Sequence, residues 1–295
     1  MNEIPITIHL DDVTFQLKEQ QDFSWLVSLG KVFAVFDQQD SGNICFGIEK
    51  DGKKSFVKFA GAKTMEYTGE PTDAVSRLKE AISLYEELKH NHLIELINHY
   101  EMENGYAAIF NWFSGECLHS HWSFPPPAKY NNPNSPFYRY KQLSIEERLI
   151  SLDHIFSFHV HVEGKNYVAI DFYDGSILYD FKTNTIKICD IDLYKKKPYI
   201  NTMGRLWGSS RFMSPEEFEL GAVIDGKTNV FNMGAIAFAL LGGERNRSFT
   251  KWEAGKELYD IVSRAVEKNR NQRYASVKEF YLEWESARNK MSMKK

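Results

Sequence analysis

Between residues 32 and 60 the chain alternates apolar and polar positions with the period of two that belongs to β-strands. "VFAVFD" predicts one strand, "QQDSGN" a loop, and "ICFGIEKDGKKSFVKF" a hairpin that turns at Asp51-Gly52. The alternation puts Phe56 and Lys58 on one face of the returning strand, with Val57 and Phe59 on the other. Over 71–90 the period changes to that of a helix: Val75, Leu78, Ile82 and Tyr85 form an apolar stripe, and Thr72 or Asp73 is placed to cap it. "LIELINHYEMENGYAAIFNWF" then predicts two strands joined at Asn104-Gly105. The first 113 residues therefore read as a sheet with one helix.

From Ser114 the texture changes. "SFPPPAKYNNPNSPFY" (123–138) has the turn chemistry of a loop, and a surface position is expected for it. Residues 144–162 are helical, with Ser144 and Glu147 at capping-box spacing. "NYVAIDFYDGSILYD" (166–180) reads as strand, turn and strand, and "TIKICDID" as a strand ending in acids. An irregular stretch runs to about 215, and the remainder is helical. There is no internal repeat or low-complexity tract.

Composition narrows the setting. A chain of 295 residues with 43% hydrophobic content can bury one large core or two smaller ones. A net charge of −4 suggests neither nucleic acid nor an anionic membrane as partner. Cys45, Cys117 and Cys189 are far apart and odd in number, which fits a reducing compartment. The N-terminus carries acids and no apolar signal core, and "NMGAIAFALLGG" is too short to span a bilayer, so a cytoplasmic protein is expected. Three H-x-H pairs (His90/His92, His119/His121, His159/His161) raise the question of zinc. Helical i, i+2 positions do not face one another, and no cysteine or carboxylate quartet accompanies them, so no metal site is expected there.

Four features stand in order: Lys58 on the third strand, a helix bearing glutamates, Asp171 at a strand end, and Asp190 at a second strand end nineteen positions on. Phosphoryl transfer needs this inventory, namely a cation on the nucleotide phosphates, an acid to orient the attacking hydroxyl and a carboxylate for Mg²⁺. At this point the sequence resembles the protein-kinase fold. "DQQDSGNI" stands in place of the glycine-rich loop, with Gly42 as its one matching glycine. "SFVK" resembles the third-strand lysine motif, with Lys58 on the phosphates. Glu80 is the candidate ion-pair partner, although strict spacing falls on Ala81. "IFNWFSGECL" resembles the hinge, with Phe110 as gatekeeper and backbone groups of Asn111 to Phe113 facing adenine. "VAIDFYDGSILYD" resembles the catalytic loop, with Asp171 as base and Ser176 in place of the Mg²⁺-binding asparagine, and "IKICDID" supplies Asp190 as the Mg²⁺ ligand. "GSSRFMSPEE" resembles the end of an activation segment, Asn229 replaces an aspartate of the following helix, and Arg273 falls where the family buries an ion pair with the closing glutamate, here Glu216.

The resemblance covers roughly residues 28 to 285 and implies an α+β, bilobal fold. A small antiparallel-sheet lobe with one main helix (1–113) would precede a larger, mostly helical lobe (114–295). It also implies ATP and Mg²⁺ as cofactors, a protein substrate, and the activity of a divergent bacterial Ser/Thr kinase. The departures are Ala169-Ile170 where the family has His-Arg, Tyr173 where it places a lysine near the γ-phosphate, and Phe56 in the place of a small alanine above adenine. They keep two alternatives open: a small-molecule phosphotransferase of the same fold, in which Phe56 stacks on the base, and a catalytically weak pseudokinase scaffold.

Overall fold

The computed structural model describes residues 5–293. They form an α+β protein of antiparallel sheets and α-helices. The chain divides into two compact units, one comprising the residues up to Lys89 with Ile94–Ser114, the other His90–Leu93 with Gly115 onward. Among the described residues no helix is long and apolar enough to cross a membrane.

The first unit starts with a hairpin of β1 (Ile6–Leu10) and β2 (Val13–Leu17). A five-stranded antiparallel sheet follows, built from β3 (Lys31–Phe36), β4 (Asn43–Lys50), β5 (Lys53–Ala60), β6 (Leu96–Met102) and β7 (Gly105–Asn111) in the order β3-β4-β5-β7-β6. Asp51 (φ 53°) and Gly52 (φ 74°) make the two-residue turn between β4 and β5. Two successive positive φ angles match the twist of a tight hairpin, and Asp-Gly meets that demand. Val57 and Phe59 are buried with Ile44 and Phe46 on one sheet face, where Phe23 packs edge-on against Phe46 at 5.2 Å and Phe59 at 5.8 Å.

Helix α1 (Pro71–Glu87) packs against this sheet, burying Ala74, Leu78, Ala81, Ile82, Leu84 and Tyr85. Three expectations are corrected here. The N-cap is Glu70, and Pro71 takes the first helical position, where its missing N–H costs nothing; Thr72 and Asp73 lie inside the first turn. The helix ends at Glu87 rather than 90, and the buried Leu88 is its C-cap, its amide donating to the Leu84 carbonyl at 2.9 Å. The β6–β7 turn is Glu103-Asn104, and Gly105 opens β7, where an added Cβ would come within 2.5 Å of the Ala60 carbonyl.

The second unit contains β8 (Glu116–Cys117), α2 (Ala128–Asn131), α3 (Pro136–Lys141), α4 (Ile145–Gly164), β9 (Tyr167–Val168), β10 (Ile177–Asp180), β11 (Thr185–Ile188), β12 (Lys195–Lys196), β13 (Tyr199–Ile200), β14 (Val223–Ile224), α5 (Gly226–Leu241), α6 (Lys256–Ala265) and α7 (Val277–Met293). The expected loop over 123–138 instead holds α2 and the start of α3. Ser135 caps α3 and Pro136 opens it, so the residues read as turn formers serve as helix starters. The expected capping box of α4 is present, Ser144 and Glu147 each bonding the other's backbone amide. Helix α5 is buried around nearly its whole circumference, which its continuous apolar run requires. Residues His90–Leu93 belong to this unit: the Ile188 amide donates to the His92 carbonyl at 2.6 Å, and His92 stacks on His154 with centroids 4.0 Å apart.

Candidate functional site

In the first unit, Lys58 is 7% exposed, although it stands in the middle of a strand. β5 pairs Lys58 with Cys45 of β4 and Ala108 of β7, and pairs Phe56 with Phe110. Phe56, Lys58 and Phe110 therefore share one sheet face, as period two requires. Tyr85 of α1 closes on Phe110 at 4.9 Å, which identifies that face as the one α1 covers. Glu80 lies on the exposed side of α1, next to the fully buried Ala81. Gly42 has φ 79°, and a Cβ there would meet the Tyr67 ring at 2.7 Å, so its glycine serves backbone conformation and close packing. The Ser41 carbonyl accepts from Arg77 at 2.7 Å, which ties this loop to α1. The amides of Asn111 and Trp112 donate to the carbonyls of Glu95 and Lys54. Among the described residues no acceptor stands on the Phe113 amide.

In the second unit, the strand expected to deliver Asp171 is short, only Tyr167–Val168. Its path is fixed instead by Asn229 of α5, a fully buried side chain. The Ala169 amide donates to Asn229 Oδ1 at 2.8 Å, and Asn229 Nδ2 donates to the Tyr167 carbonyl at 3.1 Å. Ala169 and Ile170 are buried in the core, which anchors the chain just ahead of Asp171. The chain then reverses at Asp171 with φ 65°, and Asp190 has φ 56°. Left-handed backbone at a non-glycine residue persists only where its surroundings enforce it, and Asp is among the residues that tolerate it.

Asp171, Ser176 and Asp190 are brought into one neighbourhood by the β10–β11 hairpin. Ile177 pairs with Ile188, so the preceding Ser176 meets the following Cys189, whose amide donates to the Ser176 carbonyl at 2.9 Å. Asp190 comes next and is exposed. Ser176 is 1% exposed, yet its Oγ has no hydrogen-bond partner among the described residues. Burial raises the pKa of the Tyr173 hydroxyl, and the negative charges of Asp171 and Asp190 raise it further, so the phenol stays neutral beside them. Burial pushes the Cys117 thiol up to about 12 and the His119 imidazole down to about 4.

Asp174 and Gly175 lie in a 3-10 turn, and Asp174 is fully buried there, paired with Lys129 and, at 2.9 Å, with Arg211. Burial opposes its charge, but the two cations outweigh burial and hold its carboxyl below the usual range. Nothing in the sequence marks Lys129 as buried, since its proline-rich surroundings signal a surface loop. The expected pair of Glu216 and Arg273 is present, with guanidinium nitrogens 2.6 and 3.0 Å from the two carboxylate oxygens.

The histidine pairs are rearranged by the fold. His90 and His92 are joined by His154 and His161, with His90 5.5 Å from His161 between ring centroids. His159 is separate, fully buried and bonded to the Ile155 carbonyl and the Tyr194 hydroxyl. Among the described residues no three His, Cys, Asp or Glu side chains converge as a metal-ligand set. No protein-family model matches the chain, and no curated protein matches it in sequence.

Proposed function

We propose that this protein is a divergent member of the protein-kinase fold that transfers the γ-phosphoryl group of ATP to a Ser or Thr hydroxyl of a protein. One observation carries the reading: the buried Ser176 Oγ, without a partner, is held by a backbone bond against Cys189, next to the exposed Asp190 and in the same turn as Asp171. A hydroxyl left unsatisfied inside a protein is costly unless a ligand completes it. Hydroxyl and carboxylate oxygens suit Mg²⁺, which is commonly held by one or two protein groups plus phosphate oxygens and water. Two donors therefore suffice, and Asp190 with Ser176 would hold the ion.

Bound there, Mg²⁺ would offset the charge of the phosphates. Asp171 would accept the substrate hydroxyl proton and aim its oxygen. Lys58, a desolvated cation on its strand, is assigned to the α and β phosphates. Phe56, half-buried and backed by the buried Phe110 at 6.3 Å, would offer aromatic surface to adenine, and the Phe113 amide, with no acceptor among the described residues, would supply a donor to its ring edge. Asp171→Asn should lower phosphotransfer from labelled ATP on the order of 100-fold or more, and full activity in that variant rejects the assignment.

Tyr173 favours a second reading. The resemblance implies a lysine there, whereas this side chain is a neutral phenol. A pseudokinase scaffold would accept that loss. Thermal-shift titration separates the readings in part, since a ligand bound to the native state stabilises it by RT ln(1 + [L]/Kd). Binding of Mg-ATP without any transfer would favour the scaffold.

A further inference from the structure

The second unit holds a buried cluster of two cations and two carboxylates whose charges cancel. Asp174 is 0% and Lys129 1% exposed. Lys129 Nζ donates to Asp174 and, at 3.3 Å, to Glu244. Arg211 engages both oxygens of Asp174, Nη2 to Oδ1 at 2.9 Å and Nη1 to Oδ2 at 3.1 Å, and also pairs with Glu244. Tyr130 donates its hydroxyl to the remaining Glu244 oxygen at 2.7 Å. The cluster ties α2, the turn after Asp171, the 208–217 segment and the loop after α5 to one point. Gly208 of that segment lies against Asp171, an added Cβ there falling 3.5 Å from the Asp171 Cα.

A buried ion cluster is a weak source of stability, because apolar side chains of the same volume often do as well. It does fix orientation. A guanidinium fork on both oxygens of a carboxylate permits one angle, where apolar contact permits many. Asp174 opens the 3-10 turn Asp174–Ser176, so its orientation sets that of the Ser176 hydroxyl, two residues later, and of the Asp171 backbone, three residues earlier.

We propose that Lys129 is a positioning residue for phosphoryl transfer: carried by α2, it acts through Asp174 to hold the Asp171–Ser176 turn in its reactive orientation. The idea rests on the phosphotransferase reading. Lys129 is buried with its ammonium committed to Asp174 and Glu244, so it acts through another side chain. The stretch 123–138 thereby gains a role, which is to bring a cation under the turn from a segment outside it.

The test compares wild type with Lys129→Met and Lys129→Arg, using Mg-ATP and dephosphorylated casein as acceptor, with amide hydrogen exchange of residues 172–177 measured in parallel. Lys129→Met should lower kcat about 10- to 100-fold while leaving KM for ATP within about twofold. Exchange in the turn should quicken about tenfold, and Lys129→Arg should restore both readouts. Lys129→Met that folds with wild-type kcat and wild-type exchange overturns the proposal, as does a matched rise in KM with kcat unchanged. If Lys129→Met does not fold, Lys129→Gln, which keeps the polar reach without the charge, takes the same two readouts. If wild type itself transfers no phosphate, the phosphotransferase reading fails, and exchange alone decides whether Lys129 holds the turn: unchanged exchange overturns that too.

Discussion

Removing Arg273 gives the sharpest test of how the second unit is held together. Its guanidinium is fully buried, pairs with both oxygens of Glu216, and donates to the carbonyls of Glu267, Lys227 and Lys268. Arg273→Met keeps much of the volume but leaves the Glu216 carboxylate, itself only 6% exposed, with the Thr228 hydroxyl at 3.0 Å as its one remaining side-chain donor among the described residues. Breaking a buried pair by removing one partner costs about 3–5 kcal/mol, because the surviving charge stays desolvated. At roughly 2–4 °C per kcal/mol for a unit of this size, Tm should fall by about 6–20 °C. The pH dependence identifies the cause. In the wild type burial raises the Glu216 pKa but Arg273 outweighs it, so the carboxyl sits below its ordinary 4.5. Its stabilising contribution is therefore complete above that pH and is lost as pH falls through the depressed value. In the variant burial acts without the guanidinium and raises the pKa, so the penalty is largest near neutrality and fades as the carboxyl is protonated. Urea unfolding at pH 7 and pH 5 should show the gap between the two proteins narrowing at the lower pH. A gap below about 1 kcal/mol at pH 7, or one that does not change with pH, refutes the reasoning.

Asn229→Leu strands the Ala169 amide and the Tyr167 carbonyl in the core, and at about 1–3 kcal/mol for each unpaired group the denaturation midpoint should drop by the equivalent of about 2–6 kcal/mol. Ser176→Ala should leave Tm unchanged or slightly raised, since it removes an unsatisfied hydroxyl, while the Mg²⁺ concentration needed for half-maximal transfer should rise. Acid should loosen the docking of residues 90–93. Burial first, then mutual repulsion and Lys187, lower the pKa of His90 and His92, the latter to about 4; burial lowers that of His154, and burial with Lys165 that of His161. These depressed values mean stability is fully present above about pH 6.5 and declines as pH falls toward 4. Hydrogen exchange of 90–93 should speed up over that window, and His92→Gln should flatten the change.

Much of the local structure was determined by the sequence by itself. Alternation at 44–59 with Asp51-Gly52 specifies a hairpin and the face shared by Phe56 and Lys58, because strand periodicity and turn geometry depend on adjacent residues. The capping box at Ser144 and Glu147 is local for the same reason. The spacing of Glu216 and Arg273 marked a pair 57 positions apart only through resemblance to a family, and the fold forms that pair. Other partnerships were decided by tertiary packing alone. Lys129 meets Asp174 across 45 positions, and Asn229 clamps Ala169 across 60. Neither leaves a periodic trace, since a lysine among prolines and an asparagine in an apolar run read the same whether or not a partner is waiting. The four gathered histidines show this again: i, i+2 spacing argued against a cluster on one helix, and the fold built one from α4 and the 90–93 segment instead. Sequence patterns fix the direction in which a side chain leaves its own element. What it meets there depends on which other element is packed against it, and only the folded chain decides that.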